Sequence, residues 1–187
     1  MKKLLFVVAV AFVTFSASAQ VKLGFGLGYA SPMGDIADVT DGGISGHFEL
    51  GYGITEQIDA SIYYQEDFLA GGSTSIGSET AEFGAVAIGT YMLNGRYFFT
   101  DSKFKPYGSL GLGLASIGSI EIEGSDNGVE DADAAESTSN FAFRPAIGFK
   151  YGVLNMNLAY LNAGKVGDGS VSDLTFNIGL LFTFGGN

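Results

Sequence analysis

The sequence has no cysteine and no tryptophan, a single histidine (His47) and only three prolines among its 187 residues. Without cysteine, no disulfide framework, thiol nucleophile or thiolate metal site can form. A metal would have to be held by carboxylates, carbonyls and His47. Basic side chains are scarce: 9 Lys and Arg stand against 20 Asp and Glu, a formal net charge of −11. A nucleic-acid binder needs a basic stripe to neutralise phosphates, so the balance excludes that class of partner. Charged residues of both signs reach only 16%, against about 25% in ordinary soluble domains. Beyond the N-terminus there is no apolar run of about 18 residues, which excludes a membrane-spanning helix. What is abundant is glycine (29 residues) together with 16 Phe and 9 Tyr.

The N-terminus reads as a targeting segment. Lys2 and Lys3 precede the apolar run Leu4 to Val13, and Ala17-Ser18-Ala19 stands before Gln20. A basic head, an apolar stretch of about ten residues and an Ala-x-Ala site make a secretory signal peptide, too short to be a spanning helix. Residues 1–19 are expected to be removed, leaving residues 20–187 as one domain. Loss of two lysines leaves seven basic and 20 acidic side chains, a net of −13.

The remaining chain alternates with period two nearly from end to end. Val21, Leu23, Phe25, Leu27 and Tyr29 oppose Lys22, Gly24, Gly26 and Gly28; Ile44 to Ile54 opposes Ser45, His47, Glu49 and Gly51. Ile58, Ala60, Ile62, Tyr64 and Phe68 oppose Asp59, Ser61, Tyr63, Gln65 and Asp67, and Phe83 to Phe99 opposes Thr90, Asn94 and Arg96. Four further segments repeat the pattern, with Tyr107 and Ser109, then Arg144 and Lys150, then Asn155 and Asn157, then Asp173, Thr175 and Asn177 on the polar face. Eight such segments predict eight strands. The bulky residues share one face while glycine, small polar groups and charges share the other. A soluble barrel has the reverse arrangement, whereas a narrow membrane barrel puts apolar side chains on lipid and small or polar ones in its lumen. The segments also exceed the 5–6 residues usual for soluble strands and suffice to cross a bilayer when tilted.

Connections offer an independent test. They fall near residues 31–43, 55–57, 69–82, 100–103, 119–139, 151–153 and 163–172, alternating long and short. Tight turns on one side and longer loops on the other mark an up-and-down barrel. Tyr52, Tyr97, Phe99, Phe104, Phe149, Tyr151, Phe182 and Phe184 lie near the short turns; Tyr29, Phe68, Phe83, Phe141 and Phe143 lie near the long loops. Two aromatic girdles are expected. The fold class predicted is all-β: an eight-stranded antiparallel up-and-down transmembrane β-barrel. Pro145, mid-segment in a sheet with no edge, calls for a bulge or a shifted strand boundary.

The stretches LGFGLGYASPMGD (Leu23–Asp35), NGRYFFTDSKFKPYGSLGLGLA (Asn94–Ala115), NFAFRPAIGFKYG (Asn140–Gly152) and NIGLLFTFGGN (Asn177–Asn187) resemble the small outer-membrane β-barrel family of A-, X- and W-type barrels. The resemblance implies residence in the Gram-negative outer membrane among lipids and lipopolysaccharide, and insertion by the barrel-assembly machinery. It also leaves three functions open. One is a structural or surface-interaction protein. Another is a narrow, porin-like pore or transporter for small or hydrophobic solutes, as W-type relatives suggest. The least favoured is a lipid-modifying enzyme.

Chemical motifs are few. Gly24-x-Gly26-x-Gly28 and Gly111-x-Gly113 lie inside predicted strands, with no helix start to cradle a phosphate, so they read as lumen glycines. The segment Glu121 to Glu136 is acidic but lacks EF-hand spacing, and reads as a solvated loop. His47 has no Ser or acid at a spacing that implies a triad, so a hydrogen-bonded lumen residue is expected, with no enzyme activity and no cofactor. Sixteen of the 20 acids lie in or beside the long connections, among them Asp35, Asp38, Asp41, Glu66, Asp67, Asp168 and Asp173. Divalent cations are expected to bridge that face to lipopolysaccharide phosphates. The candidate site is a lumen charge network of Glu49, Arg96, Arg144, Lys22, Asp59 and Lys150. Glu49 is expected to bridge at least one arginine, with Tyr63, Tyr107 and lumen Asn residues satisfying the remaining groups and Lys22, Asp59 and Lys150 nearer the short-turn mouth. The chain is expected to be a monomer.

Overall fold

The computed structural model describes residues 20–76, 79–82, 84–120 and 138–185. The expected signal peptide and the acidic segment Glu121 to Glu136 lie outside them. The barrel strands are β1 (Gln20–Met33), β2 (Thr40–Gly53), β3 (Ile58–Gly71), β6 (Ala85–Phe98), β7 (Phe104–Ile120), β8 (Thr138–Tyr151), β9 (Leu154–Val166) and β10 (Gly169–Phe184). A separate hairpin, β4 (Ser73–Ile76) with β5 (Glu79–Glu82), rises between β3 and β6. The eight long strands close in the order β1-β10-β9-β8-β7-β6-β3-β2. Each pairs antiparallel with its neighbours, and β1 seals against β10 from Val21↔Phe184 to Met33↔Ser172. Closure satisfies every strand edge internally, which hydrocarbon demands because it offers no hydrogen-bond partner.

The inverted polarity holds in three dimensions. Leu27, Ile62, Leu93 and Ile147 are more than 60% exposed, while Glu49, Gln65, Asp67, Asp173 and Asn177 are 1% exposed or less. Bulky apolar side chains therefore cover the outer wall and polar ones fill the inside. Glycine makes the tight interior possible at selected places. A Cβ on Gly113 would stand 1.9 Å from the Tyr91 carbonyl oxygen, so only a bare backbone lets β6 and β7 approach there.

Three sequence expectations are revised. The connection placed at 163–172 is a two-residue turn, because β9 runs on to Val166 and β10 begins at Gly169; Gly167, at φ 60°, takes the left-handed conformation the turn requires. The connection placed at 31–43 shrinks to a short 3-10 helix, Gly34–Asp38, whose Ile36 tucks into the barrel mouth. Thr40 ties it down by donating from Oγ1 to the Ile36 carbonyl at 2.8 Å. Polar, glycine-rich strand ends hide their period, and the hairpin β4–β5 was hidden in the same way. Pro145 is accommodated without a bulge or a shifted boundary. It pairs with Leu110 of β7, while the β8–β9 ladder skips Arg144 and Pro145 and resumes in the same register at Ala146↔Ala159.

The interior is divided. An apolar cluster including Ile36, Leu69, Ile88, Ile117, Leu161 and Val171 fills the half near the long connections. A polar network fills the half near the short turns and reaches outward to Asp67 and Asp173, beside Ile88 and Leu161 of that cluster.

Candidate functional site in the barrel lumen

Strict alternation aims every second side chain of each strand inward, so charges spaced by two on neighbouring strands meet across a narrow lumen. Lys22 on β1, Glu49 on β2, Asp59 on β3 and Arg96 on β6 converge in this way, each 5% exposed or less. Arg96 Nη2 lies 2.8 Å from both Glu49 oxygens, and its Nη1 lies 3.6 Å from Asp59 Oδ2. Lys22 Nζ donates to Asp59 Oδ1 at 2.5 Å. Ser61 Oγ donates to Glu49 Oε2 at 3.3 Å and accepts from Asn94 Nδ2 at 3.3 Å. The two cations and two carboxylates form one chain of alternating sign, the arrangement by which buried charge is tolerated. Aromatic faces complete it: the Arg96 guanidinium lies 4.8 Å from the Tyr107 ring centroid, and Lys22 Nζ lies 5.1 Å from that of Phe98.

Arg144 does not join this chain. Its Nε donates to Gln65 Oε1 at 2.7 Å and its Nη2 to Asn157 Oδ1 at 3.0 Å. Gln65 passes the polarity on by donating from Nε2 to Asp67 Oδ2 at 2.6 Å. The guanidinium also stacks 4.6 Å above Tyr63, whose other neighbour is the His47 ring at 5.3 Å. Lys150 stands at the mouth and donates to Thr183 Oγ1 at 3.0 Å rather than to a carboxylate. Of the six candidate residues, four therefore meet, Arg144 is held by amides, and Lys150 lies aside.

Asn157 is one of the lumen Asn residues expected to satisfy such groups, whereas nothing in spacing marks Gln65 as the partner of a distant arginine. Asp67 and Asp173 were counted with the outer acidic face. The structure turns both into the lumen, as their place on the polar face of the alternation requires, and away from the exposed rim. Among the described residues, no three His, Asp or Glu side chains converge as metal ligands.

At the rim, the Asp35 carboxylate of the 3-10 helix accepts from Ser170 N–H at 2.8 Å and from Ser170 Oγ at 2.9 Å. These bonds hold its pKa below the ordinary carboxylate value.

A closed eight-stranded barrel with a lipophilic wall and a charged interior is a bilayer-spanning protein, and the chain belongs to the outer membrane protein beta-barrel domain family, whose model matches residues 4–184. It resides in the outer membrane of a Gram-negative bacterium. Among characterised proteins, it is 31% identical over 154 residues to Outer membrane protein PagN of Salmonella typhimurium, covering 70% of this chain and 62% of PagN. The fold is shared with Neisserial surface protein A (15% identity, 89% of this chain and 97% of the other, TM-score 0.57). It is also shared with OprG of Pseudomonas aeruginosa (14%, 90% and 97%, 0.54). A third is Ail, the attachment invasion locus protein of Yersinia pestis, solved with the heparin analogue sucrose octasulfate (11%, 88% and 99%, 0.54).

Proposed function

We propose that this protein is a closed, side-chain-plugged barrel that acts through its outer surface and not as a conduit. The carrying observation is the buried chain Lys22–Asp59–Arg96–Glu49, which joins β1, β3, β6 and β2 across the lumen. An eight-stranded barrel leaves an interior only wide enough for side chains, and this one is filled with mutually compensating charges. Within that chain two cations, Lys22 and Arg96, are matched by two carboxylates, Asp59 and Glu49. The lumen network is thus read as a structural plug.

The outer surface carries the working chemistry on this reading. Its described rim is acidic, with Asp35, Asp38, Asp41 and Asp168 exposed. A polyanion of the kind bound to Ail would be repelled, whereas divalent cations would bridge this rim to lipopolysaccharide phosphates. Insertion by the barrel-assembly machinery, a monomeric state and absence of catalysis by His47 belong to the same reading.

One observation favours the pore reading in part. A cavity of about 290 Å³ lies at the outer mouth, lined by Ile36, Val39, Val86, Ile117, Val166 and Val171 among others. A hydrophobic solute would fit such a vestibule, but it would then meet the polar plug. Planar-bilayer recording with parallel solute uptake in liposomes decides between the two. A plugged barrel gives no current steps and no uptake above protein-free controls. Regular steps, or uptake abolished by bulkier residues in the vestibule, would overturn it.

A further inference from the structure

Glu66 is out of place on the wall where it stands. It lies on the bilayer-facing side of β3, between Tyr64 and Phe68, and is half-buried. Below the rim, it is the one carboxylate or cationic side chain on the outward face among the described strand residues. A lone carboxylate facing hydrocarbon is costly, so its surroundings and depth require a reason. Glu66 lies eight residues beyond Ile58, the short-turn end of β3. At about 3.3 Å per residue and a tilt of about 40°, that is roughly 20 Å up an apolar band about 25 Å tall. The carboxylate therefore reaches the outer-leaflet interface, where headgroups begin.

Its neighbours make a shaped notch. Gly46 on β2 and Gly89 on β6 are its direct cross-strand partners, so neither flank carries a side chain. Tyr64 donates its hydroxyl to Glu66 Oε2 from below. Tyr91 packs on Tyr64 with ring centroids 4.8 Å apart and keeps 64% of its surface exposed. Along the same ladder row, Ser116 and Ser139 continue outward from Gly89 in place of apolar residues. A carboxylate beside an exposed aromatic face, in a recess without side chains, suits a sugar ring. Hydroxyl or amide N–H groups donate to the carboxylate, and the apolar C–H face of the ring lies on the aromatic π-face.

We infer that Glu66, Tyr64 and Tyr91 form an exterior binding site for the saccharide headgroup of an outer-leaflet glycolipid of the lipid A class. The sugar contacts the carboxylate directly, with its acyl chains running down the wall past Phe48 and Leu114. The acidic rim above and the lumen plug play no part in this site, so its test is independent of the channel question.

The test uses the full-length barrel purified in detergent, incubated with lipid A or with phosphatidylglycerol and read by native mass spectrometry. Folding of each variant is checked by heat-modifiable gel mobility. Glu66→Gln and Tyr91→Ala are expected to lower retained lipid A about tenfold, a loss of about 1.4 kcal/mol, with phosphatidylglycerol retention unchanged. Gly46→Leu, which fills the open flank of the notch and leaves Glu66, Tyr64 and Tyr91 in place, should give the same loss and carries the test if Glu66→Gln does not fold. Equal lipid A retention by wild type and folded variants overturns the site. So does a difference between wild type and Glu66→Gln that disappears on chelation with EDTA, since that assigns the Glu66 contact to a cation bridge between carboxylate and phosphate. Equal losses for lipid A and phosphatidylglycerol would likewise overturn it, since they would mean the notch does not recognise sugar.

Discussion

Arg96 holds Glu49 through one nitrogen: Nη2 lies 2.8 Å from each carboxylate oxygen, with both side chains almost wholly enclosed. The second nitrogen, Nη1, is thereby left to reach Asp59, which in turn holds Lys22. Removing one member leaves the next uncompensated. Glu49→Ala is expected to destabilise the barrel by about 3–5 kcal/mol, the cost of breaking a buried pair. Equilibrium urea unfolding in phospholipid vesicles measures it, and a change below about 1 kcal/mol would show that Asp59 alone can hold Arg96.

Gln65 is a relay between opposite charges, accepting from Arg144 and donating to Asp67. Gln65→Leu keeps the volume but strips both contacts at once. The expected loss is about 1.5–3 kcal/mol, as for a hydrogen bond to a charged group. Unfolding free energies for Gln65→Leu and Gln65→Glu should separate, because the second variant restores a partner for Arg144 while opposing Asp67.

Glycines of the two faces should behave differently. Gly113→Ala drives a methyl group toward the Tyr91 carbonyl, 1.9 Å from an ideal Cβ, whereas a Cβ on Gly95 meets nothing within 4 Å. Gly113→Ala is expected to cost about 1–3 kcal/mol, the range for overpacking, and Gly95→Ala to be near neutral or slightly stabilising. Parallel unfolding curves for the two variants give the comparison.

The Asp35–Ser170 contact fixes a pH dependence at the rim. The folded-state pKa of Asp35 lies below its unfolded value, through hydrogen bonds donated by the Ser170 backbone and hydroxyl. A depressed carboxylate contributes fully above the unfolded value, about 3.9, and its contribution fades as pH falls through the folded one. The Ser170 amide resonance should therefore be constant from about pH 7 to pH 5 and move only below about pH 4. Asp35→Asn should abolish that movement; a transition near neutral pH would refute the assignment.

The wall of the barrel was legible because it obeys one rule. Alternation of residues such as Leu110, Leu112 and Leu114 with Ser109, Gly111 and Gly113 survives any error in the strand ends. The charged chain was partly legible for the same reason: Glu49 and Arg96 lie on inward positions of strands separated only by β3. What failed was length and partner choice. Polar strand ends such as Gly169 to Asp173 carry no hydrophobic period, so the outer turn there was read as a loop. Which arginine Glu49 takes is not legible, because alternation fixes the face of Arg96 and Arg144 but not which of them comes within reach; Arg144 falls to Gln65 and Asn157. Nothing in the sequence marks Glu66 as a wall residue, because an acid on a strand end near a loop is ordinary.

The connectivity divides the rim into two halves of different connection length. The outward connections of β1 to β2 and β9 to β10 are a five-residue 3-10 helix and a two-residue turn, fastened to each other through Asp35 and Ser170. Those of β3 to β6 and β7 to β8 carry the hairpin β4–β5 and the stretch 121–137. In the ring order, β9, β10, β1 and β2 are consecutive, and so are β3, β6, β7 and β8. The longer connections are therefore gathered over one semicircle of the rim. A residue inserted between β3 and β6 would leave the Asp35–Ser170 tie on the opposite flank, and the seam of β1 with β10 beneath it, untouched.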